Sequence, residues 1–124
     1  MSIVTFVVAD DSLGPLDVLR AAVEIDCGYK VVATARNGQL AIDACRIYHP
    51  DAVLLDVNMP VLGGDQAAAT IRAEGLAKYI IMVTLARQAR REFHRLGYGF
   101  VAKPFNDRAL LAREIRKVID GGTT

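Results

Sequence analysis

The chain has 124 residues, 52% of them hydrophobic and 23% charged, with a formal net charge of +1 at pH 7. That length fits one domain with its own core and excludes a (β/α)₈ barrel, which needs about twice the chain. The composition excludes a disordered chain, no apolar run approaches the ~20 residues of a membrane span, and near-neutral charge predicts no general attraction to nucleic acid or membrane. The N-terminus lacks the charged start and small-residue cleavage site of a secretion signal, so a cytoplasmic location is expected. Cys27 and Cys45 fit neither a metal-ligand spacing nor a disulfide framework, and read as small thiols in a reducing compartment. His49 and His94 have no ligand partners at helical spacing and read as ordinary surface residues. A serine or cysteine nucleophile with a histidine base is therefore unsupported.

In chain order, residues 3–9 form the first apolar run, which reads as a buried strand and leads into Asp10-Asp11. A first helix starts near residues 13–15, where Ser12 can cap and Pro15 suits the first turn. It carries Leu16, Leu19, Ala22 and Val23 on one face and stops at Gly28. A second strand covers Lys30–Ala35, and a second helix follows Asn37 to about Tyr48, before Pro50. A third strand, 52–55, leads into Asp56. A third helix follows Gly64 and ends at Gly75. A fourth strand, 79–83, ends at Thr84, and a fourth helix spans roughly 87–96. A fifth strand, 98–102, ends at Lys103. The fifth helix follows Asn106 as its cap, carries Leu110, Leu111, Ile115, Val118 and Ile119, and ends at Gly121-Gly122. Residues 1–120 are thus read as the domain and 121–124 as a tail or linker stump.

The strand runs are mostly continuous rather than alternating, as expected for strands covered on both faces. Five strand–helix units in one domain predict an α/β fold: a single doubly wound, five-stranded parallel sheet with five helices. Ligands of such sheets bind beyond the carboxyl ends of the strands. That edge presents Asp10, Asp11, Asp56, Thr84 and Lys103.

Three carboxylates sharing a site need a counter-charge, or some stay protonated. A divalent cation with oxygen-only ligands is the simplest remedy, and Mg²⁺ is the natural choice. A hydroxyl and an ammonium beside it can grip an anion. An oxyanion between metal and lysine is the arrangement that phosphoryl transfer needs. One carboxylate can be the nucleophile and form an acyl phosphate. Asp56 is the best candidate, because it stands alone on its strand while Asp10 and Asp11 form a pair suited to the cation.

With these residues in place, the chain resembles a bacterial two-component response-regulator receiver domain of the chemotaxis-regulator kind. The resemblance covers nearly the whole chain. It rests on Val8-Ala9-Asp10-Asp11-Ser12, then Leu54-Leu55-Asp56-Val57-Asn58-Met59-Pro60, Gly64, Val83-Thr84 and Lys103-Pro104-Phe105. Each segment alone is weak; all of them in this order, each at the end of an apolar run, are specific. The resemblance implies a flavodoxin-like sheet in strand order 2-1-3-4-5. It implies that Asp56 accepts a phosphoryl group from a histidine kinase or histidine phosphotransfer protein. Asp10, Asp11, Asp56 and the backbone carbonyl of Asn58 would hold Mg²⁺ or Mn²⁺. Thr84 and Lys103 would bind phosphoryl oxygens, and Lys103-Pro104 would be a cis peptide. Thr84 and Phe100 would be the switch residues, acting on the surface of the fourth helix, fifth strand and fifth helix.

Such a domain is a signalling switch with its own phosphorylation and dephosphorylation chemistry rather than an enzyme in the usual sense. It would act on an unknown downstream protein, without membrane or direct nucleic-acid binding, as a monomer or weak dimer. Arg87, Arg90, Arg91 and Arg95 fall at helical spacing and form a possible partner surface.

The chain departs from the family pattern in three places, one of them Gly97-Tyr98-Gly99, which replaces the usual small and acidic residues before the fifth strand. Thr84 and Lys103 stand a few residues closer than the pattern expects, which assigns a shortening to the fourth helix or its flanking loops. Leu85 replaces a smaller residue after Thr84 and is expected to slow phosphorylation by small donors, or hydrolysis. Three other readings fit less well. A phosphohydrolase using an aspartyl phosphate would have a second acid two residues after the nucleophile, where Asn58 stands. A nucleotide or flavin module would not have the acidic loop 10–14. A partner-binding receiver without phosphorylation would not need the intact acids, threonine and lysine.

Overall fold

The computed structural model describes residues 2–121. Five strands, β1 (Thr5–Ala9), β2 (Lys30–Ala35), β3 (Ala52–Asp56), β4 (Tyr79–Thr84) and β5 (Gly99–Ala102), form one sheet in the order β2-β1-β3-β4-β5. Every neighbouring pair is parallel. The helices are α1 (Leu13–Ala21), α2 (Gly38–Tyr48), α3 (Gly64–Glu74), α4 (Arg90–Arg95) and α5 (Arg108–Ile119). This is the five-stranded, five-helix α/β architecture in the 2-1-3-4-5 order that the alternating pattern and the resemblance predict.

The continuous apolar strands have a simple cause. Successive strand residues point to opposite faces, so a strand covered on both sides needs no polar positions. Phe6 and Val8 of β1 and Leu54 of β3 pack with Leu19 and Ile115 on the α1/α5 side. Val7, Ala9, Val53 and Leu55 pack with Ile42, Cys45 and Ile71 on the α2/α3 side. Burial pushes the Cys45 thiol up to about 12, so it is an inert part of that second layer.

The topology also locates the site. From β1 the chain runs outward to β2, then returns to place β3 on the other side of β1. The sequence direction reverses between β1 and β3, and the carboxyl ends there carry Asp10-Asp11 and Asp56.

Several local expectations need correction. Ser12 occupies the α1 N-cap with extended backbone, but its side chain makes no capping hydrogen bond. The helix does not run unbroken to Gly28. It widens into a π turn, Ala22–Asp26, in which the Cys27 amide donates to the Ala22 carbonyl (2.9 Å), and Gly28 then takes φ +73°. The π turn is held to α5 by Arg116, whose Nη1 donates to the Asp26 carbonyl (2.9 Å), and by the Arg108–Asp26 ion pair (2.6 Å). The cap of α5 is Asp107, not Asn106. Its Oδ1 accepts from the amides of Ala109 (3.0 Å) and Leu110 (3.3 Å), because Asp107 is the residue with extended backbone just ahead of the first turn. Asn37 caps α2, accepting from the Leu40 amide (2.8 Å).

The fourth helix is short, as the reduced spacing between Thr84 and Lys103 leads one to expect, and it begins later than Arg87. Residues 87–89 form a 3₁₀ turn and α4 proper is six residues long, none of them buried. His94 is not a plain surface residue: it is half-buried, and its Nε2 is buried without a hydrogen-bond partner among the described residues. The short helix turns back at Gly97, whose amide donates to the His94 carbonyl (2.9 Å). His49 is exposed and ends α2 in the left-handed region, at φ 46°.

Candidate functional site

Asp10 directly follows β1 and is fully buried. Its amide donates to the Ala35 carbonyl at the end of β2 (3.0 Å), and its Oδ1 accepts from the Ser12 amide (2.9 Å). Its Oδ2 is buried and faces the Lys103 ammonium, 2.9 Å away, as an ion-pair partner. Asp56 is the last residue of β3, aligned with Val83 of β4 and also buried. The same Lys103 Nζ lies 3.4 Å from Asp56 Oδ2, and the Asn58 backbone amide hydrogen-bonds this carboxylate. One oxygen from each of Asp10, Asp11 and Asp56 lies within 4.8 Å of the others.

The electrostatics follow from this crowding. Burial, then the Asp10 carboxylate, raise the Asp56 carboxyl above its ordinary range; Lys103 and the Asn58 amide oppose them without cancelling them. For Lys103, burial pulls downward, but the bond to Asp10 and the charges of Asp56 and Asp10 outweigh it. The lysine is therefore held firmly as an ammonium. Three carboxylates against one ammonium leave a formal excess of two negative charges when all are ionised. An all-oxygen donor set and this excess charge fit a hard divalent cation.

Thr84 ends β4 and is buried. Its Oγ1 accepts from the Ala86 amide (3.1 Å), which leaves its proton for an acceptor in the site. Its carbonyl accepts from the Lys103 amide (2.9 Å), tying the ends of β4 and β5 together. The Lys103-Pro104 peptide is cis. Asn58 is exposed on the loop after β3, and Leu85 is 66% exposed. Phe100 is buried in β5, with the Phe93 ring at 6.3 Å and the Arg90 guanidinium 5.2 Å above its face.

The four arginines do not form one helical stripe, because Arg87 belongs to the 3₁₀ turn ahead of α4. Arg87 and Arg90 instead edge a groove of about 310 Å³ whose walls include Val101, Pro104, Phe105 and Leu111. Arg91 is exposed, and Arg95 pairs with Glu92 (3.2 Å). Of the tail, residues 122–124 lie outside the described residues.

Two residues outside the acid cluster shape the site: Gly64, already among the residues that carry the resemblance, and Arg36, which the sequence reading passed over. A Cβ at Gly64 would collide with the Asp56 backbone carbonyl, so only glycine lets α3 begin this close to the site. Arg36 follows β2 directly and donates from Nε (3.2 Å) and Nη2 (2.8 Å) to the Asp11 carbonyl. A basic residue immediately after a strand that ends on the acidic edge was the available signal.

Comparison with known proteins agrees with this geometry. The family described as "Response regulator receiver domain" matches residues 6–114. Protein-glutamate methylesterase/protein-glutamine glutaminase 2 of Carboxydothermus hydrogenoformans is 31% identical over 123 residues, covering 96% of this chain and 35% of that protein. The corresponding protein 3 of Pseudomonas aeruginosa is 35% identical over 85 residues, covering 68% of this chain and 25% of that protein. The chain thus spans about a quarter to a third of the length of the curated relatives it matches. Among solved structures, a LuxR-family response regulator from an Aurantimonas species superimposes with TM-score 0.84 at 28% identity, covering 98% of this chain and 89% of that one. The response regulator domain of Thermotoga maritima CheB gives 0.82 at 25% identity, covering 96% and 98%. With the family match running from the middle of β1 into α5, and with the acids gathered where the strand order reverses, the chain belongs to the response-regulator receiver domains of two-component signalling.

Proposed function

We propose that Asp56 is the phosphoacceptor of this receiver and takes its phosphoryl group from the phosphohistidine of a histidine kinase or histidine phosphotransfer protein. The observation that carries this reading is the convergence of Asp10, Asp11 and Asp56 within 4.8 Å, with one lysine ammonium between two of them. An Asp56 carboxylate oxygen attacks phosphorus, the phosphorus–nitrogen bond breaks, and its electron pair leaves on the imidazole. Lys103 meets one phosphoryl oxygen as a point charge, and the Thr84 hydroxyl donates to another. Asp10, Asp11, Asp56 and the Asn58 carbonyl would hold Mg²⁺ or Mn²⁺, which supplies neutralisation of charge on the phosphoryl oxygens. Attack of water on the acyl phosphate returns Asp56 and releases inorganic phosphate.

The acyl phosphate competes with Asp10 for Lys103 and offers the Thr84 hydroxyl an acceptor. Thr84 shares its loop with the chain leading to α4, so its movement reaches Phe100 and the groove edged by Arg87 and Arg90. That α4–β5–α5 face is the output surface for a downstream protein, and Arg91 and Arg95 extend its positive charge. The protein works in the cytoplasm as a monomer or weak dimer, without membrane or nucleic-acid contact of its own.

Intact mass spectrometry after incubation with Mg²⁺ and either a small acyl phosphate or a phosphorylated histidine kinase tests the acceptor. Wild type is expected to gain one phosphoryl group and Asp56→Asn none. A gain in the Asn variant would move the acceptor elsewhere. No gain in wild type with either donor would leave a partner-binding receiver without phosphorylation.

A further inference from the structure

Arg36 lies outside the acid cluster, yet it holds the cluster's least constrained member. Asp10 is fixed by three contacts: its amide to Ala35, its Oδ1 to the Ser12 amide, and its ion pair with Lys103. Asp56 is fixed by its place in β3, by Lys103 and by the Asn58 amide. Asp11 stands beyond the end of β1, in the turn before α1, where no strand ladder orients it. Arg36 reaches it from the neighbouring strand end, and two guanidinium donors converge on its carbonyl, at 3.2 and 2.8 Å. A carbonyl gripped by two donors of one rigid fork cannot rotate its peptide plane freely. Holding that plane limits the Asp11 ψ rotation, and with it the directions open to the Asp11 Cα–Cβ bond.

We propose that Arg36 is a positioning residue for the cation: by clamping the Asp11 carbonyl, it aims the Asp11 carboxylate into the metal site. This inference rests on the metal reading of Asp10, Asp11 and Asp56. It makes a prediction whose sign runs against simple electrostatics. Arg36 is a cation beside an acidic pocket, so its charge alone repels a metal ion, and removing it would tighten binding. If the clamp matters more, removing it loosens binding.

The test is isothermal titration calorimetry of Mg²⁺ into the metal-free, unphosphorylated protein, with thermal unfolding in chelator alongside. Arg36→Ala is expected to weaken Mg²⁺ binding about tenfold, the lower end of what outer residues contribute at metal sites. Arg36 is exposed, so the unfolding temperature in chelator is expected to stay within a degree or two of wild type. Arg36→Lys keeps the charge with a single donor group and is expected to fall between the two. Equal or tighter binding by Arg36→Ala would overturn the clamp while leaving the metal site intact. No Mg²⁺ binding by wild type would overturn the metal reading itself, and the clamp with it.

Discussion

Burial and the Asp10 carboxylate raise the Asp56 carboxyl above its ordinary range, so the metal-free fold holds this anion against a cost. A raised folded-state value means that the folded protein binds more protons than the unfolded chain over a window starting near pH ~4, the ordinary carboxylate range. Within that window, stability falls as pH rises. Asp56→Asn removes the charge at nearly constant volume. In chelator at pH 7 it is expected to raise the unfolding temperature by a few degrees, the scale of roughly 1 kcal/mol in a domain of this size. The advantage should shrink as pH is lowered toward the ordinary carboxylate range, because protonation of the wild-type carboxyl relieves the same cost. Scanning calorimetry at both pH values checks it, and equal melting at pH 7 would show that Lys103 already compensates the charge in full. That Lys103 stands on the acidic edge was readable from its place after the fifth strand. Its shared pairing with Asp10 and Asp56 was not, since that depends on where one ammonium comes to rest.

At the scale of elements, the spacing placed helical turns at 87–95 but not the point where the α-helix begins. A helix is legible when an apolar stripe repeats along it, and α4 buries no residue among its six. Its arginines fall at helical spacing, but a charged spacing does not say where a helix begins, and Arg87–Ala89 wind as a 3₁₀ turn instead. What holds the region lies on other elements. Arg72 of α3 donates to the Leu96 carbonyl and to the Gly97 carbonyl (3.2 Å), and its guanidinium sits 4.6 Å from the centre of the Tyr98 ring. Phe93 in turn packs near Tyr98 and Phe100, each ring at 6.3 Å. Arg72→Ala is expected to lower stability by about 1–2 kcal/mol, from two hydrogen bonds and one cation–π contact. Hydrogen exchange should accelerate from Leu96 into β5 while the amides of β1 stay protected. Uniform acceleration across the sheet would mean that the Arg72 clamp is global rather than local.

Across the whole molecule, a cation held by the three acids would couple its binding to folding. A cation that binds only the folded chain stabilises it by mass action, about 2.7 kcal/mol at a hundred times its dissociation constant. Mg²⁺ is therefore expected to raise the melting temperature of wild type in a concentration-dependent way and to have a much smaller effect on Asp10→Asn. The same response in both proteins would place the ion elsewhere.

The strand and helix alternation, the parallel sheet and the edge on which the acids gather were all determined by the sequence alone. Apolar runs must be buried on both faces, and parallel strands end on one side, so residues placed just after such runs share an edge wherever the strands stand. Only the tertiary structure decided how close the carboxylates come, which of them Lys103 pairs with, where α5 is capped, and that Arg36 reaches across from β2 to the Asp11 carbonyl. Those outcomes depend on strand register, on the conformation of the connecting loops and on side-chain rotamers of residues far apart in the chain, and no local pattern of residues encodes any of the three.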